Sequence, residues 1–337
     1  MMTNADSART VRTINQRLSL RKPQADSLEI LADILDQMAI TKDADTAAAL
    51  AIVQQVCRDN GWPVMESFER DFPSMCFALA TGVVKTRLMG AFISYLYLTG
   101  KSRHFFVLAP NTTIYNKLIS DFSPHSAKYV FKGIAEFAQN PPLIITGDNY
   151  ESGIGVRNDR GGSSDLFGSD VHINIFNIDK INKEEGPRGK PKMRSLQETM
   201  GESYYSYLSK LDDLVLVMDE AHRYRASAGA RAIEGLKPIL GLELTATPKA
   251  VGTNNAFKNV IYRYGLGEAM ADGFVKEPYV ATRKDFDPKS VSKERLEHIK
   301  LEDAVYNHDH VAIELNRYHQ VSGKPKVHPF ILVVAQH

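Results

Sequence analysis

Two adjacent carboxylates, Asp219 and Glu220, close the apolar run Leu214-Val215-Leu216-Val217-Met218, and His222 follows directly after Ala221. A buried strand ending in Asp-Glu presents one hard oxygen ligand for a metal ion and, beside it, a base for water. Upstream, Lys85-Thr86 follows the apolar segment Phe77-Ala78-Leu79-Ala80 and Gly82, and precedes the amphipathic stretch Leu88 to Leu98. In that strand, loop and helix setting an ammonium reaches phosphates, a hydroxyl binds magnesium, and the helix N-terminus faces the anion. Thr245-Ala246-Thr247-Pro248 follows a further apolar segment, Leu242-Glu243-Leu244, and its hydroxyls suit a relay between that chemistry and the rest of the molecule.

The phosphate loop is irregular. The strict pattern GxxxxGKT has glycine where this chain has Leu79 and Val84. The glycine before the lysine lets the backbone approach phosphate and take torsions that a β-branched residue disfavours. Valine at that place adds an isopropyl group on the phosphate's approach path, and a strained backbone costs about 1–3 kcal/mol. Weakened or lost nucleotide binding is the expectation. Taken alone, residues 82–86 read equally as a strand-to-helix turn, Asp219-Glu220 as a solvated strand end, and Thr245 to Pro248 as a capped turn. Their joint occurrence favours the chemical reading. His308-Asp309-His310 lacks further ligands at sensible spacing and reads as a solvated helix face, and Trp62 reads as a packing anchor.

These groups need a scaffold that brings strand ends together. Leu28, Leu31, Ile34, Leu35 and Met38 recur at helical spacing, and a second helix is expected from Ala44 to Cys57, stopped by Asn60-Gly61-Trp62-Pro63. From there to Thr282, short apolar runs at 77–80, 105–108, 143–145, 171–178, 214–218 and 242–244 alternate with helical or loop segments. Near-continuous apolar strands of this kind predict a parallel sheet covered on both faces. Polar stretches at 147–170 and 182–203 read as surface insertions. A polar region with a helix over 302–318 follows, and the apolar stretch 329–337 closes the sequence.

The chain has 337 residues, 43% hydrophobic and 24% charged, and a formal net charge of +1, so any nucleic-acid site is a local patch and not a whole-protein field. Cys57 and Cys76 show no CxxC spacing, which argues against a disulfide framework or a structural zinc site and fits a reducing, cytoplasmic setting. No signal pattern opens the sequence, and the stretch 89–98 is too short to span a bilayer.

With these residues in view, the chain resembles the helicase superfamily 2 motors with a DEAH-type box, and among them the restriction (Res) subunit of type III restriction enzymes. The resemblance rests on Leu20-Arg21-Lys22-Pro23-Gln24, Ala80-Thr81-Gly82 to Thr86-Arg87, Phe105 to Pro110 with Asn111, Asn174 to Ile178, Met218 to Tyr224, and Leu244 to Pro248. It implies an α/β fold, a RecA-like P-loop parallel sheet covered by helices on both faces, working with ATP and Mg²⁺. It implies that Gln24 reads the adenine edge and that Thr81, Gly82, Lys85, Thr86 and Asp219 bind the nucleotide, with Thr86 and Asp219 on Mg²⁺. Glu220 and Lys85 would carry hydrolysis. His222, Thr245 and Thr247 would couple ATP state to nucleic acid, and Pro110, Asn111 and Thr112 would touch its backbone. The implied partners are double-stranded DNA and a DNA-methyltransferase (modification) subunit.

The expected organisation is a helical extension over 1–62, an ATP-binding domain over 63–282, a helical linker over 283–328, and over 329–337 the first strand of a truncated second motor domain. The expected function is that of an ATP-dependent DNA translocase or helicase motor. The alternative is a decayed or truncated motor that serves only as a nucleic-acid-binding or scaffold piece.

Overall fold

The computed structural model describes residues 4–156, 170–177, 193, 202–225, 227–249, 256–277, 280, 282–284 and 286–334. The chain divides into two compact units, residues 1–277 and 278–337. Most of the two polar insertions lies outside the described residues.

The first unit opens with three helices, α1 (Asn4–Leu18), α2 (Lys22–Gln37) and α3 (Thr46–Asp59). Pro23 starts α2 where its missing N–H costs nothing, and Asp45 caps α3 by accepting from the amides of Ala47 and Ala48. The sheet strands are β1 (Ser74–Leu79), β2 (His104–Ala109), β3 (Leu143–Thr146), β4 (His172–Asn177), β5 (Leu214–Asp219), β6 (Leu240–Thr245) and β7 (Val260–Tyr264). Between and after them run α4 (Lys85–Leu98), α5 (Thr112–Phe122), α6 (Ala135–Gln139), α7 (Tyr204–Lys210), α8 (Ser227–Glu234) and α9 (Leu266–Ala271).

The seven strands lie in the order β3-β4-β2-β5-β6-β1-β7 and every pairing is parallel. Strand side chains alternate between two cores. Met75, Phe77, Leu79, Val215, Val217, Leu242 and Leu244 join one core with Ile14, Leu28, Leu31, Leu88 and Phe92 of the helices. Cys76, Ala78, Leu216 and Met218 join the other with Tyr204, Leu208, Ile233 and Leu236. Both faces are therefore covered, as the apolar runs predict, and the fold is RecA-like α/β. Consecutive strands β1 and β2 lie on opposite sides of the β5–β6 pair, so the loops leaving β1 and β5 open toward one crevice at the carboxyl edge.

The N-terminal helices share the sheet's core through Ile14, Leu28 and Leu31, and the two compact units divide at 277/278. Strand β7 has no counterpart among the expected runs, since Val260-Ile261-Tyr262-Arg263-Tyr264 carries an arginine and sits at the sheet edge. Trp62 packs against the first core, as an anchor does.

The second unit contains α10 (Lys293–Ser322), capped by Ser292 Oγ accepting from the Arg295 amide at 3.2 Å and stopped at Gly323 with φ +65°. Arg283 grips Asp303 with a forked pair of hydrogen bonds. His308 meets Asp309 through Nδ1 and the Pro329 carbonyl through Nε2, each at 3.2 Å. The expected strand at 329–337 is not formed over the described residues 329–334, which have no strand neighbour to satisfy their backbone. Residues 335–337 lie outside the described set.

A buried ion cluster ties the first unit together. Glu243 of β6 is fully buried and accepts from Arg70 Nε at 2.9 Å, Ser74 Oγ at 3.0 Å and Arg225 Nη2 at 2.5 Å. The Arg225 guanidinium also lies 3.9 Å from the Phe257 ring centroid. Burial pushes the Glu243 carboxyl up, but Arg70 and Arg225 outweigh it and hold the group below the usual carboxylate range. The stability this depressed pKa contributes is present above the unfolded value of about 4.3 and is lost as pH falls through the folded value. Glu243→Gln should destabilise the protein by about 3–5 kcal/mol in urea unfolding, because it leaves the buried Arg70 guanidinium without its carboxylate and Arg225 with Glu69 alone. It should also flatten the acid limb of the stability profile, and an unchanged urea midpoint would show that the cluster is not structural.

Candidate functional site

The phosphate loop runs from the end of β1 to the first residue of α4. Gly82 takes φ +90°, and a Cβ there would meet Val275 Cγ2 at 3.0 Å and the Phe274 carbonyl at 3.3 Å. Val84 stands at the N-cap of α4 with φ 60° and ψ 64°, the left-handed conformation that glycine supplies in the strict pattern. Its side chain is 46% exposed, so the isopropyl group projects toward solvent at the loop and not into the core. A valine in this region is a conformational outlier.

Neighbouring side chains hold the loop in that shape. Gln24, at 1% exposure, donates from Nε2 to the carbonyls of Val83 at 2.7 Å and Val84 at 2.9 Å, and its Oε1 accepts from the Arg21 amide at 2.8 Å. Arg21 Nη1 donates to the Gly82 carbonyl at 2.9 Å while its guanidinium lies 4.5 Å from the Phe274 ring centroid. Both amide hydrogens of Gln24 are thus engaged with the loop, which leaves one lone pair of Oε1 for any adenine contact. Thr81 and Gly82 are exposed on the turn.

Strand β5 delivers the carboxylates at the middle of the sheet. Asp219 ends the strand, and Glu220 takes φ 50° before the short 3-10 turn Ala221–Tyr224. Lys85 Nζ reaches Glu220 Oε1 at 2.5 Å, joining the loop to the strand end. Burial raises the Asp219 pKa; the charge of Lys85 opposes that shift and the charge of Glu220 adds to it. A buried carboxylate held this way gains from any further cation.

His222 Nδ1 lies 2.9 Å from Thr245 Oγ1, 3.4 Å from Thr247 Oγ1 and 3.4 Å from Glu220 Oε2. The Thr245 hydroxyl donates to the Thr247 carbonyl at 3.2 Å and accepts from the Thr247 amide at 3.1 Å. Burial lowers the His222 pKa, against the pull of Glu220 and with the help of Arg223 and Lys85.

The remaining sequence-derived residues lie at the end of β2. Asn111 caps α5, its Oδ1 accepting from the Ile114 amide at 2.9 Å, with Pro110 half-buried and Thr112 exposed. Arg70, Arg225 and Lys117 escaped the sequence reading. Lys117 donates to Thr86 Oγ1 at 3.0 Å, and no spacing rule connects these two positions. Glu243, a carboxylate inside an apolar run, was the available hint of the buried cluster.

A magnesium ion fits the donor set: one hydroxyl and one carboxylate, hard oxygens of the kind Mg²⁺ uses alongside phosphate and water. Among the described residues no group of three His, Cys, Asp or Glu side chains forms a metal cage. No helix of the described residues is long and apolar enough to cross a membrane.

A family model described as "Type III restriction enzyme, res subunit" matches residues 18–250. No curated protein matches the chain. Among solved structures, a nuclease-deletion mutant of the Type ISP restriction-modification enzyme LlaGI, in complex with a DNA substrate mimic, aligns at 14% identity with a TM-score of 0.40. The alignment covers 60% of this chain and 19% of that one.

Two measurements check this geometry. His222 should titrate below about 6.5 in an NMR pH series, and a midpoint at or above that value would contradict the burial described. Val84→Gly relieves about 1–3 kcal/mol of left-handed strain and loses about 0.5–1 to glycine's unfolded entropy, so urea unfolding should show a net gain of about 1 kcal/mol. A loss would mean that the valine torsions carry no strain.

Proposed function

The chain belongs to the type III restriction enzyme res-subunit family and carries a helicase-like motor domain, and on that premise we propose that it binds ATP with Mg²⁺ and couples hydrolysis to movement on double-stranded DNA. The observation that carries this reading is the 2.5 Å contact between Lys85 of the loop and Glu220 at the end of the central strand. Thr86 and Asp219 are the groups that would hold Mg²⁺, which when bound neutralises phosphate charge. Lys85 exchanges Glu220 for the phosphate chain. Glu220, released, orients or deprotonates water. Gln24 and Arg21 keep the loop amides aimed at the anion, and one Oε1 lone pair of Gln24 serves the adenine.

His222 touches both Glu220 and the threonines of the next strand end, so a change at Glu220 is passed to Thr245 and Thr247. Pro110, Asn111 and Thr112 leave the same carboxyl edge of the sheet and are the proposed contacts to the DNA backbone. A modification methyltransferase is the proposed protein partner. Buried, unbridged Cys57 and Cys76 support a reducing, cytoplasmic setting.

Val84 favours a second reading for this polypeptide, a motor piece that holds nucleic acid but binds nucleotide poorly. Calorimetric titration separates the two. Under the second reading the unaltered chain binds Mg-ATP weakly or not at all and Val84→Gly binds it at least about tenfold more tightly, equivalent to about 1.4 kcal/mol, whereas under the first the two bind it alike. Equal affinities would remove Val84 as the cause. Adding Lys85→Ala to the glycine variant should abolish binding, and full retention there would overturn the nucleotide reading.

A further inference from the structure

Lys117 projects from the second turn of α5 toward the first turn of α4. Its Nζ donates to Thr86 Oγ1 at 3.0 Å and pairs with Asp121, one turn further along α5, at 3.1 Å. The Asp121 side chain is buried and that of Lys117 is 55% exposed, so the carboxylate anchors a lysine whose ammonium stays accessible.

The cation stands in an electrostatically unfavourable place. It faces the N-terminus of a 14-residue helix, where the aligned peptide dipoles already present positive charge, and Lys85 and Arg87 occupy that same first turn. Beside it a cavity of about 480 Å³ reaches Val84 and Thr86 and is walled also by Arg17, Arg87, Lys128 and Lys132. Asp121 is the one carboxylate among its described lining residues. Among the described residues Arg17, Lys128 and Lys132 form no salt bridge, and Arg87 donates only to the Leu18 carbonyl. So many cations around one helix start repel one another until a multiply charged anion enters.

We propose that Lys117 is a second phosphate-binding lysine of the nucleotide site, and that the basic cavity beside it makes the site selective for a polyphosphate chain over a single phosphate. The proposal rests on the nucleotide reading above. It also gives that loop a source of phosphate affinity that does not pass through residue 84. The Thr86 hydroxyl, which now accepts from Lys117, is released as the ammonium turns to phosphate.

Titration of the full chain, unaltered and as Val84→Gly, with Mg-ATP, AMP and inorganic tripolyphosphate tests this. Lys117→Ala should weaken Mg-ATP and tripolyphosphate alike by about tenfold, the size of one charge-assisted contact, and leave AMP within about twofold. Lys117→Arg should restore most of the loss. Circular dichroism melts check folding, and Lys117→Gln, which keeps a hydrogen-bond donor for Asp121, carries the same test should the alanine variant be unstable. Mg-ATP affinity unchanged in Lys117→Ala, with Lys85→Ala still abolishing binding, overturns this proposal alone. Equal losses in the alanine and arginine variants also overturn it, because packing and not charge would then be at work. No binding of Mg-ATP by either parent, or no effect of Lys85→Ala, overturns the nucleotide reading and this proposal with it.

Discussion

Strand β6 lies between β1 and β5, and the spacing of the site follows from that insertion. Strands two places apart in a sheet are separated by about 9–10 Å, which no short side chain crosses. Lys85 and Glu220, both long, meet across the gap, while Thr245 at the end of β6, the strand between, is hydrogen-bonded to His222. Had β1 and β5 been direct neighbours, the carboxylates would crowd the loop and leave no room for a phosphate chain. The same strand carries Glu243, so the element that spaces the site is also the one locked to Arg70 and Arg225.

The phosphate loop shows how a backbone shape can survive the loss of the residue that favours it. Gln24, Arg21 and the packing of Val275 and Phe274 against Gly82 hold the turn from outside, and Val84 accepts a left-handed torsion within that frame. The helix α2 that supplies Gln24 is fixed to the sheet core through Leu28 and Leu31, so the restraint is anchored in the most buried part of the molecule. Glu220 is another of the five described non-glycine residues with positive φ, and it faces Val84's neighbour Lys85. Backbone outliers on both sides of one contact are the pattern found where function sets geometry against local preference.

Much of this was legible in the sequence. Six strands announced themselves as apolar runs because a sheet buried on both faces needs no polar alternation. The residues at the ends of β1, β5 and β6 were legible for the same reason: each stands where an apolar run stops. Strand β7 was not, since an edge strand tolerates Arg263 and loses the signal. The Arg70, Glu243 and Arg225 cluster and the reach of Lys117 to Thr86 were hidden because each joins positions far apart in sequence through the tertiary fold alone. The role of Gln24 was half legible: its type suits adenine, but its contacts with two loop carbonyls depend on how α2 packs.

The order of strands also governs how this protein comes into being. Strand β1 pairs only with β6 and β7, both made long after it. At translation rates of about 5–20 residues per second, the first strand waits on the order of ten seconds with both hydrogen-bonding edges open. During that interval Phe77 and Leu79 have only the nascent helices α1 to α4 to shelter them. The N-terminal helices, which the sequence suggested as an appendage, precede β1 in the chain and pack on the same core as Phe77 and Leu79, so they are the cover available to that strand before the sheet can close.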